Sequence, residues 1–134
     1  MLLRRCHDHR HGRSGRRRLL PLQVLSELVR RPVNAFTLWK PEAVEVTKGQ
    51  DQIGEYHNNE RSYRQWCTAC GGHLMTRHPQ WGLVDVYAAT IPDFPFAPGV
   101  HVNYESTVLP MKDGLPKLKD FPEALGGSGE TIAE

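Results

Sequence analysis

The sequence predicts a mainly β fold, and three observations support that prediction. Ten prolines and twelve glycines in 134 residues indicate many turns and short elements. Apolar and polar residues alternate in several short runs, as they do in half-buried strands. No apolar run approaches the length of about 20 residues that a membrane-spanning helix needs. Hydrophobic residues make up 39% of the chain and charged residues 24%, which is typical of a single folded domain.

Five strands are expected where the alternation is clearest. They lie near residues 44–48, 52–56, 61–66, 83–89 and 100–104. The fourth contains Val84, Val86 and Ala88, which share one face of a strand. Three prolines between residues 92 and 98 indicate an extended, irregular segment before the fifth strand. Residues 126–134 open with a glycine-rich run and are expected to form a flexible tail.

Residues 1–31 differ in composition from the rest of the chain. They hold nine Arg, no Lys and two acids, whereas the rest has 8 basic and 13 acidic residues. Three interpretations are possible at face value: a phosphate-binding basic segment, a mitochondrial transit peptide, or a metal site made by Cys6, His7, His9 and His11. A solvated basic tail followed by an amphipathic helix over residues 22–29 is the simplest alternative.

The most specific chemical signal is the run Cys67-Thr68-Ala69-Cys70-Gly71-Gly72. Two cysteines separated by two residues can direct both sulfurs at one metal ion, and the glycines allow the positive φ that such a turn needs. A redox dithiol is the main rival, but that motif usually opens a helix in a βαβ unit. Two buried thiols without a metal are the simplest alternative. We favour metal binding, because strand-like sequence flanks the pair on both sides.

A structural zinc site needs four ligands, and Cys67 with Cys70 supplies two of them. The chain has three cysteines, so the only other one is Cys6, which lies in residues 1–31, the basic head of the chain. His73 and His78 are the nearest substitutes in sequence. The absence of a signal peptide and the odd number of cysteines favour a reduced, cytoplasmic protein over a disulfide-rich secreted one.

From Pro32 onward the chain resembles the glutathione-dependent formaldehyde-activating family, which shares its domain with centromere protein V. The resemblance is carried by Pro-Val-Asn-Ala-Phe at 32–36, Cys-Thr-Ala-Cys-Gly at 67–71, His-Leu at 73–74 and Pro-Asp-Phe at 92–94. It implies a compact, Mss4-like, zinc-binding β fold over residues 32–125. It also implies that Cys67 and Cys70 form the downstream half of a structural zinc site, whose other half is an upstream Cys-x-Cys-Gly-Ala motif. A Cys-His-Cys-x-x-Cys motif, also upstream in the family, implies a second zinc at the glutathione site.

Neither upstream motif is present here, and the genetic code offers an explanation. Read one base late, codons for Leu20–Arg31 can encode Cys-His-Cys-Lys-Ser-Cys-Arg-Ser-Trp-Ser-Gly-Gly immediately before Pro32. The same shift converts Met1–Arg5 to Cys-Cys-Cys-Gly-Ala. Both missing motifs reappear in order, so we interpret residues 1–31 as an out-of-frame translation. The basic head is then a by-product of the shifted frame, and neither nucleic-acid binding nor import is expected of it.

The resemblance implies a carbon–sulfur lyase that acts on glutathione adducts, joining formaldehyde and glutathione reversibly to S-hydroxymethylglutathione. Zinc is the implied cofactor, and glutathione or one of its adducts is the implied partner. Because the upstream cysteine clusters are missing, we expect little or no catalysis from this chain. A non-catalytic zinc- or glutathione-binding domain, or a defective gene product, is the alternative. No nucleic acid or membrane partner is expected.

Overall fold

The structure, a computed structural model, describes residues 9–11, 16–20 and 32–133. The strands are β1 (His9–His11), β2 (Arg16–Leu20), β3 (Asn34–Trp39), β4 (Val44–Val46), β5 (Ile53–Asn59), β6 (Ser62–Cys67), β7 (His73–His78) and β8 (Leu83–Tyr87). Six short 3-10 helices span Pro41–Ala43, Gln50–Gln52, Pro79–Trp81, Ala88–Thr90, Tyr104–Ser106 and Glu123–Leu125. These described residues include no α-helix, and the prediction of a mainly β chain is confirmed.

The described residues form two compact units, of which the first comprises residues 9–11, 16 and 37–95. Its sheet has the strand order β3-β8-β7-β6-β5, and β5–β6, β6–β7 and β7–β8 are antiparallel pairs. Strand β4 pairs instead with β1 in a separate two-stranded ladder. Short connections join the consecutive strands β5 to β8, as expected for antiparallel neighbours.

The core of the first unit is made by side chains from β3, β6, β7 and β8 and by Ile91, which follows the 3-10 helix Ala88–Thr90. Its buried members are Trp39, Cys67, Leu74, Met75, Val84, Val86 and Ile91. Met75 lies opposite Val86 in the β7–β8 ladder, so both contribute to the same face of the sheet. Cys67 is fully buried among these apolar residues, which places one end of the cysteine pair inside the core.

The second unit comprises, among the described residues, 17–20, 32–36 and 96–133. Strand β2 and the first half of β3 are neighbours there. Between residues 96 and 133 the backbone forms isolated bridges, His101 with Lys117 and Leu118 with Thr131, in place of a continuous strand. His101 and Lys117 are almost completely buried, so this unit has polar side chains at its centre.

Two features of the predicted secondary structure need revision. The prediction of a strand over residues 100–104 was wrong, because Asn103 has a φ of 54° and a 3-10 turn begins at Tyr104. Strands β3 and β7 were not predicted, and neither were the strands at residues 9–11 and 16–20 of the basic head. The proposed helix over residues 22–29 lies outside the described residues.

The sequence indicated a flexible end, but the glycine-rich tail is hydrogen-bonded to other residues of the second unit. The N–H of Gly129 donates to the carbonyl of Phe121, and the N–H of Ile132 donates to that of Lys117. The Ser128 hydroxyl donates to Asp120 at 2.7 Å. These bonds pair the tail with residues 117–123.

Within the part of the chain that the structure describes, no helix is long and apolar enough to cross a membrane.

Candidate metal-binding site

The cysteine pair lies at the turn between β6 and β7, as the sequence predicted. Cys67 is the last residue of β6, and two residues separate Cys70 from the start of β7 at His73. Two backbone hydrogen bonds close the turn: the N–H of Gly71 donates to the Cys67 carbonyl at 2.7 Å, and the N–H of Cys67 donates to the Gly72 carbonyl at 2.8 Å. We call residues 67–72 the cysteine knuckle.

Gly71 is required by the shape of this knuckle. Its φ is +72°, in the left-handed region where a residue with a Cβ is strained. The sequence-based expectation that a glycine after the second cysteine adopts positive φ is confirmed. Gly72 follows at a point where an added Cβ would lie 3.4 Å from the Sγ of Cys70, so a side chain there would crowd that sulfur.

The knuckle is tied to the residues that precede β5. Both the backbone N–H and the hydroxyl of Thr68 donate to the carbonyl of Gln52, at 2.7 and 3.0 Å. The adjacent ladder pairs Ile53 with Cys67. These bonds fix the knuckle from the side of the edge strand as well as from β6 and β7.

The two thiols have different surroundings, since Cys67 is buried and Cys70 is exposed. Thiolates of this spacing are suitable ligands for zinc and other soft metals. The redox alternative is typical of a pair that opens a helix, but here the pair is followed directly by strand β7. The local backbone therefore favours a metal knuckle over a thioredoxin-like dithiol.

The donor set is incomplete within the described residues. A structural zinc needs four ligands, yet the described ranges contain no group of three or more His, Cys, Asp or Glu side chains that could hold a metal. The knuckle thus fits half of a zinc site. Cys6 lies outside the described residues.

The two histidines considered as substitutes are engaged elsewhere. The ring of His73 packs edge-on against Tyr87 at 6.2 Å between centroids. His78, at the far end of β7 from the knuckle, contacts Asp85 Oδ2 through Nε2 at 2.9 Å and the Arg61 carbonyl through Nδ1 at 3.2 Å. Neither histidine adds a third donor to the cysteines in the described part of the chain.

A polar cluster in the second unit was not anticipated from the sequence. The side chain of Asp113 accepts a hydrogen bond from Lys117 Nζ at 2.6 Å through Oδ1 and bonds to His101 Nε2 at 2.7 Å through Oδ2. These bonds, that of Lys117 first and that of His101 second, hold the pKa of the Asp113 carboxyl far below its usual range. His101 is fully buried and satisfied through its Nε2 by Asp113, in keeping with the expectation from sequence that it is a surface or satisfied polar residue.

A second carboxylate with a lowered pKa lies on the exposed surface of the sheet. The pKa of Glu55 is lowered chiefly by its hydrogen bond with His57, and Gln65 and Arg77 contribute as well. His57 also stacks on Tyr63 with 3.9 Å between ring centroids. His57 is therefore an exposed residue whose ring contacts both Glu55 and Tyr63.

Comparison with known proteins adds no family assignment. No protein-family model matches the chain, and no curated protein matches it.

Proposed function

We propose that this chain is a zinc-binding β domain in which Cys67 and Cys70 supply two of the metal's ligands. The observation that carries the proposal is the cysteine knuckle itself, closed by two backbone hydrogen bonds of 2.7 and 2.8 Å with Gly71 at positive φ. A turn of this shape holds two thiols of C-x-x-C spacing at one corner between antiparallel strands.

The remaining ligands have to come from outside the described residues. Cys6 is the one other cysteine of the chain, and a second copy of the chain or solvent can supply further donors. Zinc held this way would crosslink the β6–β7 corner to another segment. Such a link contributes to folding, since structural zinc in small domains is worth about 10–16 kcal/mol.

We propose that the activity associated with this chain is that of the formaldehyde-activating family, which it resembles. The reaction is the reversible addition of the glutathione thiol to the carbonyl carbon of formaldehyde: a C–S bond forms, and the thiol proton passes to the former carbonyl oxygen. The Mss4-like fold, zinc as cofactor, a glutathione adduct as substrate and a cytoplasmic site of action all belong to this proposal. The matching positions in this chain are Cys67 and Cys70.

The chain in its present form is proposed to be inactive or weakly active. The family's glutathione site uses the Cys-His-Cys-x-x-Cys motif, and Leu20, Leu22 and Leu25 stand where the shifted frame would encode its cysteines. A non-catalytic zinc- or glutathione-binding domain, or a defective gene product, is the second candidate. The incomplete donor set of the described residues favours it.

The test compares this chain with a frame-restored version, encoded by shifting the codons before Pro32 by one base. Formation of S-hydroxymethylglutathione from formaldehyde and glutathione is followed by NMR, with the uncatalysed reaction as the baseline. We expect turnover above baseline only from the frame-restored chain, which should also bind more zinc and melt at a higher temperature. Equal turnover, zinc content and melting temperature in the two chains would show that the frameshift interpretation is wrong.

A further inference from the structure

Four residues form a row across one face of the sheet in the first unit. In the antiparallel ladders, Arg64 lies opposite Tyr56 on β5 and opposite Thr76 on β7, and Thr76 lies opposite Asp85 on β8. Cross-strand partners project from the same face of a sheet, so these side chains are neighbours in the order Tyr56, Arg64, Thr76, Asp85.

Arg64 is a largely buried arginine, and one nitrogen of its guanidinium has no hydrogen-bond partner. The residue is 5% exposed, and its Nε is buried with no hydrogen-bond partner. A buried N–H without an acceptor is destabilising, so the Nε side of this guanidinium favours an anion beside it.

The carboxylate in the same row is already engaged by other groups. Asp85 Oδ1 accepts the backbone N–H of Thr76 at 2.9 Å, and Oδ2 bonds to His78 Nε2 at 2.9 Å. Asp85 is itself buried, and its two bonds direct its oxygens at β7. It therefore does not serve as the counter-ion of Arg64.

A second arginine of the sheet shows the ordinary arrangement. Arg77 lies opposite Tyr63 and Val84, in ladder positions that alternate with those of the row, and its side chain is 52% exposed. Its guanidinium is 3.4 Å from Glu55, so its charge is both hydrated and paired. The Nε–H of Arg64 has no such partner.

We propose that Arg64 is the anchor of an anion-binding site for a small carboxylate-bearing molecule. The Nε–H and the neighbouring Nη–H of a guanidinium are parallel donors, and a carboxylate accepts both at once. Tyr56, the next residue in the row, is 50% exposed and lies on the edge strand, so the row reaches solvent on that side. This inference does not depend on zinc binding or on the proposed lyase activity.

The test measures thermal unfolding of the full chain in sodium acetate and in sodium chloride at matched ionic strength. Saturating acetate should raise the melting temperature by about 4 °C, because a ligand that binds only the folded state stabilises it. Arg64→Met removes the charge and keeps the stem. It should melt higher than the unmodified chain in chloride and show no response to acetate. Arg77→Met is the matched control and should respond to acetate as the unmodified chain does.

Two further measurements test whether acetate binds at Arg64. The Nε–H resonance of Arg64 in the unmodified chain, which needs no variant, should shift saturably with acetate. Inorganic phosphate replaces acetate in a parallel titration, and a response to phosphate alone would overturn the assignment to carboxylates. The small-molecule site would be overturned if acetate did not raise the melting temperature, or if it raised that of Arg64→Met equally. A melting temperature in chloride that rises with protein concentration would overturn it as well.

Discussion

Replacing Gly127 with Ala should destabilise the second unit by about 3 kcal/mol, because the added methyl group has no space. A Cβ built on Gly127 would lie 2.0 Å from the carbonyl oxygen of Phe121 and 2.4 Å from its carbon. Both are backbone atoms, so relief requires the turn between Phe121 and Gly129 to open. Urea unfolding followed by amide hydrogen exchange at Gly129 and Ile132 measures the effect, since both N–H groups are bonded in this segment.

Gly114→Ala is the matched control for this substitution. Gly114 has a φ of +74°, but a Cβ there meets nothing within 4 Å. The control reports only the conformational strain of a left-handed residue, about 1 kcal/mol. If both variants lose the same stability, the close approach of Gly127 to Phe121 does not determine the turn.

Replacing Lys117 with Met should lower the free energy of unfolding by about 2 kcal/mol at pH 7. This is less than the loss typical of breaking a fully buried ion pair, because the remaining partner, Asp113, is partly exposed. Lys117 is 1% exposed, and its Nζ donates to Asp113 at 2.6 Å and to the Leu115 carbonyl at 2.9 Å. Met keeps the aliphatic packing but removes the ammonium, so Asp113 loses the strongest of the bonds that lower its pKa.

The pH dependence of this loss follows from the direction of the Asp113 shift. A carboxyl whose pKa is lowered in the folded state stabilises the fold above its unfolded pKa of about 3.9, and this stabilisation is lost as the pH falls further. The difference in unfolding free energy between the chain and Lys117→Met should therefore be full at pH 7 and shrink below about pH 4. Lys119→Met, which disrupts an exposed pair with Glu130, is the control and should change stability little. If this difference in unfolding free energy does not change with pH, the role assigned to Asp113 is wrong.

The strands that sequence reasoning found are those whose residue types alternate between apolar and polar. In β8, Val84 and Val86 alternate with Asp85, and this pattern predicted a strand although Asp85 is buried as well. In β7 the apolar Leu74 and Met75 are adjacent in sequence, so the run lacks a period of two. The run at 100–104 has the alternation of a strand, but a positive φ at Asn103 ends the extended backbone.

The cysteine knuckle was predictable because its chemistry is local. Cys67, Cys70 and Gly71 lie within five residues, and their spacing alone indicates the turn. The cluster of His101, Asp113 and Lys117 is different, since it depends on backbone pairing across the loop, as in the bond from the His101 N–H to the Pro116 carbonyl. The buried, unpartnered Nε of Arg64 depends in the same way on strand register, and a single run of sequence carries no signal for it.

The most direct test of the central claim is the zinc content of the purified full chain, compared with that of the Cys67→Ser/Cys70→Ser double variant. Both proteins are exchanged into buffer with a stated excess of zinc, dialysed, and analysed by elemental mass spectrometry, with folding checked by far-UV circular dichroism. The account predicts zinc bound to the unmodified chain and lost from the double variant. Equal zinc content in the two proteins would contradict the assignment of the cysteine knuckle as the metal site.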